Sequence, residues 1–165
     1  MRKIVLFLFV VVAMIAGGRV NASAAVIGVN DSLINPGEVA RHVLAEKSDL
    51  ELWEIELMAT AMELENGMNS DLCLLYTGSV ILNRTKASWC PDTIEGVLLQ
   101  AGQYADATVK RLYTKRASDR VFALAVRLAI HGSLDEELIF QSMQPHLGKV
   151  KYVIDGEYFA TAKGK

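Results

Sequence analysis

The stretch AMELENGMNSDLCLLYTGSVILNR, residues 61–84, contains the features that decide the fold. Asn66-Gly67 is a pair at which helices commonly stop, so it ends the helical pattern that precedes it. Asn69-Ser70-Asp71 then supplies side-chain oxygens that suit a helix N-terminus. The segment that follows is apolar on almost every side, which is typical of a helix buried in a core. The stretch therefore predicts two consecutive helices, with the second one at the centre of the domain.

The first of these helices is predicted to begin near residue 48. Ser48 and Glu51 have the spacing of a capping box, in which each side chain bonds the backbone N–H of the other residue. Apolar residues then recur at helical spacing and predict the buried face. They are Leu50, Trp53, Leu57, Ala61 and Leu64.

Two later segments are predicted to be helical. Thr93 follows Pro91 and suits the start of a helix over residues 93–101. Ser118-Asp119 suits the start of another helix, over residues 120–131, which Gly132 ends.

The C-terminal part of the chain carries a different pattern. Two short apolar segments, 152–154 and 158–159, flank Asp155-Gly156, a pair that favours a two-residue type I′ turn. The fold class is therefore mainly α, or α+β, with a helical domain and a small C-terminal β hairpin.

The N-terminus resembles a secretion signal. Arg2 and Lys3 precede an apolar segment, residues 4–16, and small residues follow as far as Ala24. Since this segment is shorter than the roughly 20 residues that span a bilayer, we expect a cleaved signal peptide. Cleavage near Ala24 implies a protein secreted to the cell wall or another extracytoplasmic place, without stable membrane insertion.

The predicted organisation has three parts: a signal peptide over residues 1–24, an N-terminal segment over 25–47 with a short helix at 38–47, and one domain over 48–165. The net charge of −2 argues against a nucleic-acid partner, because such proteins usually carry a basic face. We expect a monomer.

The two cysteines, Cys73 and Cys90, lie at opposite ends of the predicted central helix. A helix rises 1.5 Å per residue, so their Cα atoms should be roughly 20 Å apart, whereas bridged residues must approach within about 7 Å. We expect two free thiols rather than a disulfide.

Two glutamates, Glu63 and Glu65, occupy the end of the first helix. At about 100° per residue they diverge by about 200°, so only one of them can face the packed side. Glu65 shares its side with Met58, Ala61 and Met62, whereas Glu63 should be solvated. Apolar surroundings favour the protonated carboxyl group, which is the form that acts as a general acid.

Four blocks of sequence, in order, resemble a known family. They are Glu65-Asn66-Gly67, CLLYTGSVILNR at 73–84, PDTIEGV at 91–97 and QAGQY at 100–104. Together they are similar to the SleB-like family of bacterial cell-wall hydrolases, which includes a spore cortex-lytic enzyme. The similarity extends over roughly residues 50 to 160. Cys90 stands where that family usually has Phe.

The resemblance implies a lysozyme-like, mainly α fold and an exported enzyme that cleaves peptidoglycan glycan strands. The bond would be the one between N-acetylmuramic acid and N-acetylglucosamine, and the enzyme a muramidase or a lytic transglycosylase. The catalytic glutamate of the family falls on Glu65, in agreement with the helix-face argument. No cofactor is implied.

Other polar residues in these blocks are candidates for substrate binding. Gln100, Gln103 and Tyr104 follow the third helix, and amides with an aromatic edge suit hydrogen bonding and stacking on amino sugars. Alternatively, these three are surface turn residues. Thr85 follows the central helix's last apolar turn and is placed to reach a cleft.

Ser79 and Asn83 lie one turn apart in the otherwise buried central helix. A buried polar group needs a partner, so they either orient Glu65 or satisfy backbone groups.

Neither a metal site nor a second catalytic carboxylate is evident. His42, His131 and His146 lack the spacing of metal ligands, so no metal is expected. Asp71, Asp92 and Glu95 are acids near the site, but each suits a helix N-terminus. The function class that competes with the enzyme is a non-catalytic peptidoglycan-binding or regulatory protein of the same fold.

Overall fold

The computed structural model describes residues 50–162 of the chain, and these form five helices and one three-stranded antiparallel sheet. The helices are α1 Leu52–Asn66, α2 Asp71–Lys86, α3 Ile94–Leu99, α4 Asp106–Arg111 and α5 Asp119–His131, and the strands are β1 Leu138–Ser142, β2 Lys149–Ile154 and β3 Glu157–Thr161. This is an α+β architecture, as predicted. The predicted signal peptide, the helix at 38–47 and Ser48 lie outside the described residues.

Helix α2 is the central element of the described fold. It packs against α1, α3, α5 and β1, and 11 of its residues are buried. The side chain of Ser70 accepts a hydrogen bond from the Cys73 N–H and so caps the helix, as the sequence predicts. Burial on nearly all sides is therefore confirmed for this helix.

Helix α1 begins at Leu52 rather than at a Ser48 cap. Glu51 is the N-cap residue, and its N–H donates to Oε2 of Glu54 at 3.3 Å. The predicted buried face was also partly wrong, because Trp53 is 44% exposed while Ile55 is fully buried. Since α1 packs against α2, α5 and α3, its buried face is wider than the predicted stripe and displaced from it.

The later helices begin where their caps were predicted. Thr93 accepts a hydrogen bond from Gly96 N–H, and Ser118 accepts one from Val121 N–H. Helix α3 ends two residues earlier than predicted, at Leu99. Helix α4 was not predicted, because its six residues bury only Thr108 and so carry no apolar period.

The sheet has the order β1-β3-β2, so β3 lies between the other two strands. Strands β2 and β3 form the predicted hairpin, and Asp155 (φ 52°) and Gly156 (φ 87°) both have the positive φ that a type I′ turn requires. Strand β1 adds a third strand that was not predicted. Phe159 of β3 and Leu138 of β1 pack in one buried cluster with Cys73 and Val80 of α2.

Candidate active site

Glu65 lies in the last turn of α1, as predicted, and its side chain is half-buried. Three residues on its side of the helix, Met58, Ala61 and Met62, are fully buried. The carboxyl oxygen Oε1 is itself buried and has no hydrogen-bond partner. A buried oxygen without a partner is energetically costly, so an unpaired carboxyl group here calls for a functional explanation.

Asn66 fixes the end of the helix directly after Glu65. Its side chain is buried, Nδ2 donates to Oγ1 of Thr77 at 2.8 Å, and Oδ1 accepts from Nδ2 of Asn69 at 3.0 Å. Thr77 in turn donates to the carbonyl of Cys73. The sequence indicated only that Asn66 ends the helix, whereas the structure shows that its amide ties α1 to α2.

The turn between α1 and α2, residues 67–70, is held from one side by Arg120 of α5. The guanidinium donates to the carbonyls of Gly67 at 3.2 Å and Asn69 at 2.7 Å, and Nε donates to Oδ1 of Asp71 at 2.8 Å. One side chain therefore binds both ends of the turn that follows the Glu65 helix.

Asp155, from the β2–β3 turn, holds the same turn at another point. Its Oδ2 accepts from the Ser70 N–H at 2.8 Å and from the Ser70 hydroxyl. These hydrogen bonds lower the pKa of Asp155 below its ordinary value, because they stabilise the carboxylate. No pattern in the sequence indicates this contact.

Glu63 is not a freely solvated neighbour, which corrects the expectation from the helix geometry. Its Oε2 accepts from the N–H of Ser118 at 3.2 Å and from the Ser118 hydroxyl at 2.7 Å. Ser118 is the N-cap of α5, so Glu63 joins α1 to the start of that helix. The two glutamates thus have different environments: Glu63 is hydrogen-bonded, and Glu65 has an unpaired buried oxygen.

Arg84, in the last turn of α2, is a buried cation that the sequence analysis did not select. It is 2% exposed, and its guanidinium donates to Oε1 of Gln100 at 2.6 Å and to the carbonyl of Ile139 at 3.3 Å. Its Nε is buried without a partner. Within residues 50–162 no carboxylate pairs with this cation.

Tyr104 is the predicted residue that the structure relates most directly to Glu65. Burial raises its pKa far above the ordinary value, the positive charge of Arg84 lowers it, and the negative charge of Glu65 raises it. Its hydroxyl therefore lies within electrostatic range of both groups and stays protonated, which makes it a hydrogen-bond donor. Gln100 is held by Arg84, whereas the side chain of Gln103 is exposed.

Ser79 and Asn83 both hydrogen-bond backbone groups, which is the second of the two predicted alternatives. Ser79 is fully buried, donates to the carbonyl of Leu75 and accepts from the N–H of Leu134. Asn83 donates to the carbonyls of Asp135 and Leu138 at 2.7 and 2.9 Å. Both tie α2 to the segment that leads into β1. The hydroxyl of Ser79 has its partners, so we withdraw Ser79 as a substrate-binding candidate, whereas Oδ1 of Asn83 is buried without a partner.

Thr85 is half-buried, and its hydroxyl donates to the carbonyl of Leu82 at 2.7 Å. That hydrogen bond lies within α2, and none of the described hydrogen bonds joins Thr85 to Glu65. Cys73 is a buried free thiol, and Cys90 is a half-buried one. Burial raises the pKa of the Cys73 thiol, which disfavours its reactive thiolate.

Of the three other acids considered, Asp71 and Glu95 have partners elsewhere. Asp71 lies in the first turn of α2 and pairs with Arg120, and Glu95 lies in the first turn of α3 and accepts a hydrogen bond from the hydroxyl of Tyr113. Their positions agree with the predicted role at helix N-termini. Asp92 is exposed in the segment before α3.

The described residues contain neither a cluster of metal ligands nor a membrane-spanning helix. Over 50–162 no group of three or more His, Cys, Asp or Glu side chains is arranged to hold a metal ion. Over the same part of the chain, no helix has the length and apolar character needed to cross a membrane.

Comparison with known proteins does not assign the chain to a family. No protein-family model, no curated protein and no solved structure matches it. The resemblance to SleB-like hydrolases therefore rests on the four sequence blocks alone.

Proposed function

We propose that this protein is an exported peptidoglycan glycosidase of the SleB-like type, with a lysozyme-like helical domain and Glu65 as its general acid and base. The observation that carries the proposal is the buried, unpartnered Oε1 of Glu65 at the end of α1. A carboxyl group that lacks an internal partner is available to exchange a proton with a bound ligand. The four sequence blocks support the choice of ligand, the glycan strand of peptidoglycan.

The proposed reaction needs one carboxyl group used twice. Protonated Glu65 donates its proton to the glycosidic oxygen, the bond from that oxygen to C1 of N-acetylmuramic acid breaks, and N-acetylglucosamine leaves with a free hydroxyl. The Glu65 carboxylate then removes the proton from the C6 hydroxyl of the same muramic acid. The C6 oxygen bonds to C1, which closes a 1,6-anhydro ring and regenerates the acid.

We favour this lytic route over simple hydrolysis because no second carboxylate within residues 50–162 is identified as a partner of Glu65. Most glycosidases use two carboxyl groups about 5 to 9.5 Å apart. Here the neighbouring acids Asp71 and Glu95 are engaged with Arg120 and Tyr113. Should water replace the C6 hydroxyl, the same glutamate would deprotonate it and yield a reducing end.

Tyr104 and Gln100 are the proposed substrate contacts. The Tyr104 hydroxyl keeps its proton because of its raised pKa and can donate a hydrogen bond to a sugar oxygen. The Gln100 amide oxygen already accepts from Arg84, so its NH₂ group is the part that remains for a ligand.

The test is incubation of the purified protein with isolated peptidoglycan, followed by turbidity and by mass analysis of the released fragments. We expect turbidity to fall and the fragments to end in 1,6-anhydromuramic acid, one water lighter than hydrolytic products. Reducing ends would identify a muramidase instead. An unchanged suspension to which the protein nevertheless binds would favour the non-catalytic wall-binding protein.

A further inference from the structure

Trp89 is an exposed aromatic side chain whose ring is backed by a buried cation. It is 53% exposed, and the guanidinium of Arg84 lies over its ring, 5.3 Å from the centroid. The ring of Phe140 lies 6.0 Å away, centroid to centroid, at an interplanar angle of 32°. The indole is thus packed on protein over part of its surface and open to solvent over the rest.

Arg84 gives this indole a fixed orientation. Two hydrogen bonds, to the side chain of Gln100 and the backbone of Ile139, hold the guanidinium in place, and the arginine is almost fully buried. A cation against an aromatic face is attracted to the π electrons of the ring, which adds to the packing. A side chain that is ordered before a ligand arrives loses less entropy on binding, so Trp89 is pre-organised for contact.

The same arginine connects Trp89 with residues of the candidate active site. Arg84 binds Gln100 directly, and the charges of Arg84 and Glu65 both act on the pKa of Tyr104. The Nε of Arg84 is a buried donor without a partner. An oriented aromatic surface beside an amide and an unused donor suits a ligand with both an apolar face and polar edges.

We propose that Trp89 is a stacking platform for one pyranose ring of a β-linked amino-sugar strand that extends away from Glu65. The C–H face of the sugar packs on the indole, while its acetamido and hydroxyl groups remain at the edges for hydrogen bonds. The proposal rests on the proposed function for its choice of ligand. It adds a binding site beyond the residues that the four sequence blocks select.

Trp53 provides a matched control, since the chain contains two tryptophans. It is 44% exposed, similar to Trp89, but it lies in the first turn of α1, and its Nε1 donates to Oε2 of Glu51 at 2.7 Å. Twelve residues of helix, about 18 Å, separate it from Glu65. Exposure alone therefore does not distinguish the two side chains, whereas their place in the fold does.

The experiment follows binding of a soluble hexamer of β-1,4-linked N-acetylglucosamine in a Glu65→Gln background, where no turnover occurs. Adding Trp53→Phe leaves Trp89 as the sole tryptophan, and adding Trp89→Phe leaves Trp53. We expect tryptophan fluorescence to change saturably with hexamer concentration in the variant that retains Trp89, and not to change in the variant that retains Trp53. By calorimetry, Trp89→Ala should weaken hexamer binding about tenfold, as truncation of a central aromatic contact does, while Trp53→Ala should not.

Melting temperatures of the four tryptophan variants verify that each is folded. The proposed stacking role of Trp89 is wrong if Trp89→Ala and Trp53→Ala bind the hexamer equally. It is also wrong if the fluorescence of Trp89 does not change when the hexamer binds, or if folded wild-type protein does not bind the hexamer. Peptidoglycan lysis by the wild type tests the proposed function separately. If lysis does not depend on Trp89, only the stacking proposal is rejected. If the hexamer binds through Trp89 but no lysis occurs, only the proposed enzymatic function is rejected.

Discussion

At the scale of single residues, Glu63 and Glu65 differ in what their carboxyl oxygens contact. Glu63 accepts two hydrogen bonds from Ser118, whereas Oε1 of Glu65 is buried and accepts none. A carboxylate at a helix C-terminus also faces the negative end of the helix dipole, which disfavours its charge. Glu63 therefore contributes to the fold through Ser118, and Glu65 is the one that we propose for proton transfer.

We predict that Glu65→Gln removes nearly all peptidoglycan lysis. Glutamine keeps the size of the side chain but cannot deliver or accept the proton, and general acid–base catalysis is typically worth about 10² to 10⁴ in rate. The melting temperature should hold or rise slightly, because the neutral amide avoids the unfavourable dipole. Turbidity decrease and thermal unfolding measure the two effects.

Glu63→Gln is the matched control for that variant. It should lyse peptidoglycan within a few fold of the wild type but lose about 1 kcal/mol of stability, since the charged partner of Ser118 is gone. The opposite pattern, with lysis lost at Glu63 and kept at Glu65, would place the catalytic acid two residues earlier.

At the scale of helices and strands, α2 is packed so closely that a glycine is needed at its centre. A Cβ atom at Gly78 would lie 2.3 Å from Cδ1 of Leu128 and 2.9 Å from Sδ of Met62. These residues belong to α5 and to the Glu65 helix α1. Both the helix that carries Glu65 and α5 therefore approach α2 closely at Gly78.

Substitutions at Gly78 should therefore destabilise the domain, and a larger side chain should destabilise it more. We expect Gly78→Ala to cost about 1 to 3 kcal/mol, because Leu128 and Met62 must move, although alanine is the better helix former. Gly78→Leu should prevent folding. Circular dichroism and thermal unfolding measure both, and a wild-type melting temperature for Gly78→Leu would contradict the packing of α1 and α5 on α2.

The α1–α2 turn leads to a second prediction about elements, in which Arg120 acts as a positioning residue for Glu65. Arg120→Ala removes hydrogen bonds to Gly67, Asn69 and Asp71, and so frees the turn that follows α1. The stability loss should be only about 1 to 2 kcal/mol, because these contacts are exposed. Lysis at a temperature well below unfolding should fall roughly tenfold, because catalysis is sensitive to small displacements of the acid.

Two further variants separate positioning from stability. In Arg120→Lys, the lysine can replace only some of the hydrogen bonds of the guanidinium, so this variant should lyse peptidoglycan at an intermediate rate. Arg116→Ala removes another exposed arginine, one that pairs with Glu56 at 3.5 Å, and should leave lysis unchanged. If Arg120→Ala lyses at the wild-type rate while its melting temperature falls, the arginine has a structural role only.

At the scale of the whole molecule, the sheet and the helices are linked through Asp155 and Ser70. The Asp155 carboxylate has a lowered pKa because of its hydrogen bonds from the Ser70 hydroxyl and N–H. A group with a lower pKa in the folded state stabilises the fold above its unfolded pKa, about 3.9 for Asp. This contribution is lost as the pH falls from about 4 through the folded pKa.

We predict that Asp155→Asn lowers the melting temperature at pH 7. The difference in melting temperature between this variant and the wild type should become smaller below about pH 4. Asparagine tolerates the positive φ of this turn position, so the hairpin should persist. Asp92→Asn, at an exposed carboxylate, serves as the control and should show no such narrowing. A pH-independent difference for Asp155→Asn would mean that charge is not what joins the hairpin to Ser70.

Most element boundaries and one feature of the candidate site could be predicted from the sequence. The caps Ser70, Thr93 and Ser118 and the Asp155-Gly156 turn act within three or four residues, so local pattern was sufficient. The preference for Glu65 over Glu63 followed from helix geometry in the same way. By contrast, α4 and β1 are short segments whose structure depends on neighbours from elsewhere in the chain.

By itself, then, the sequence determined the central buried helix, the flanking helices, the hairpin and the position of the candidate acid. Only the tertiary structure decided what surrounds that acid. Asp155 meets Ser70 across 85 residues, Arg120 reaches Asp71 across 49, and Glu63 meets Ser118 across 55. Helical and strand periods report contacts a few residues apart, whereas these pairings arise when packed elements bring distant side chains together, and no local pattern encodes them.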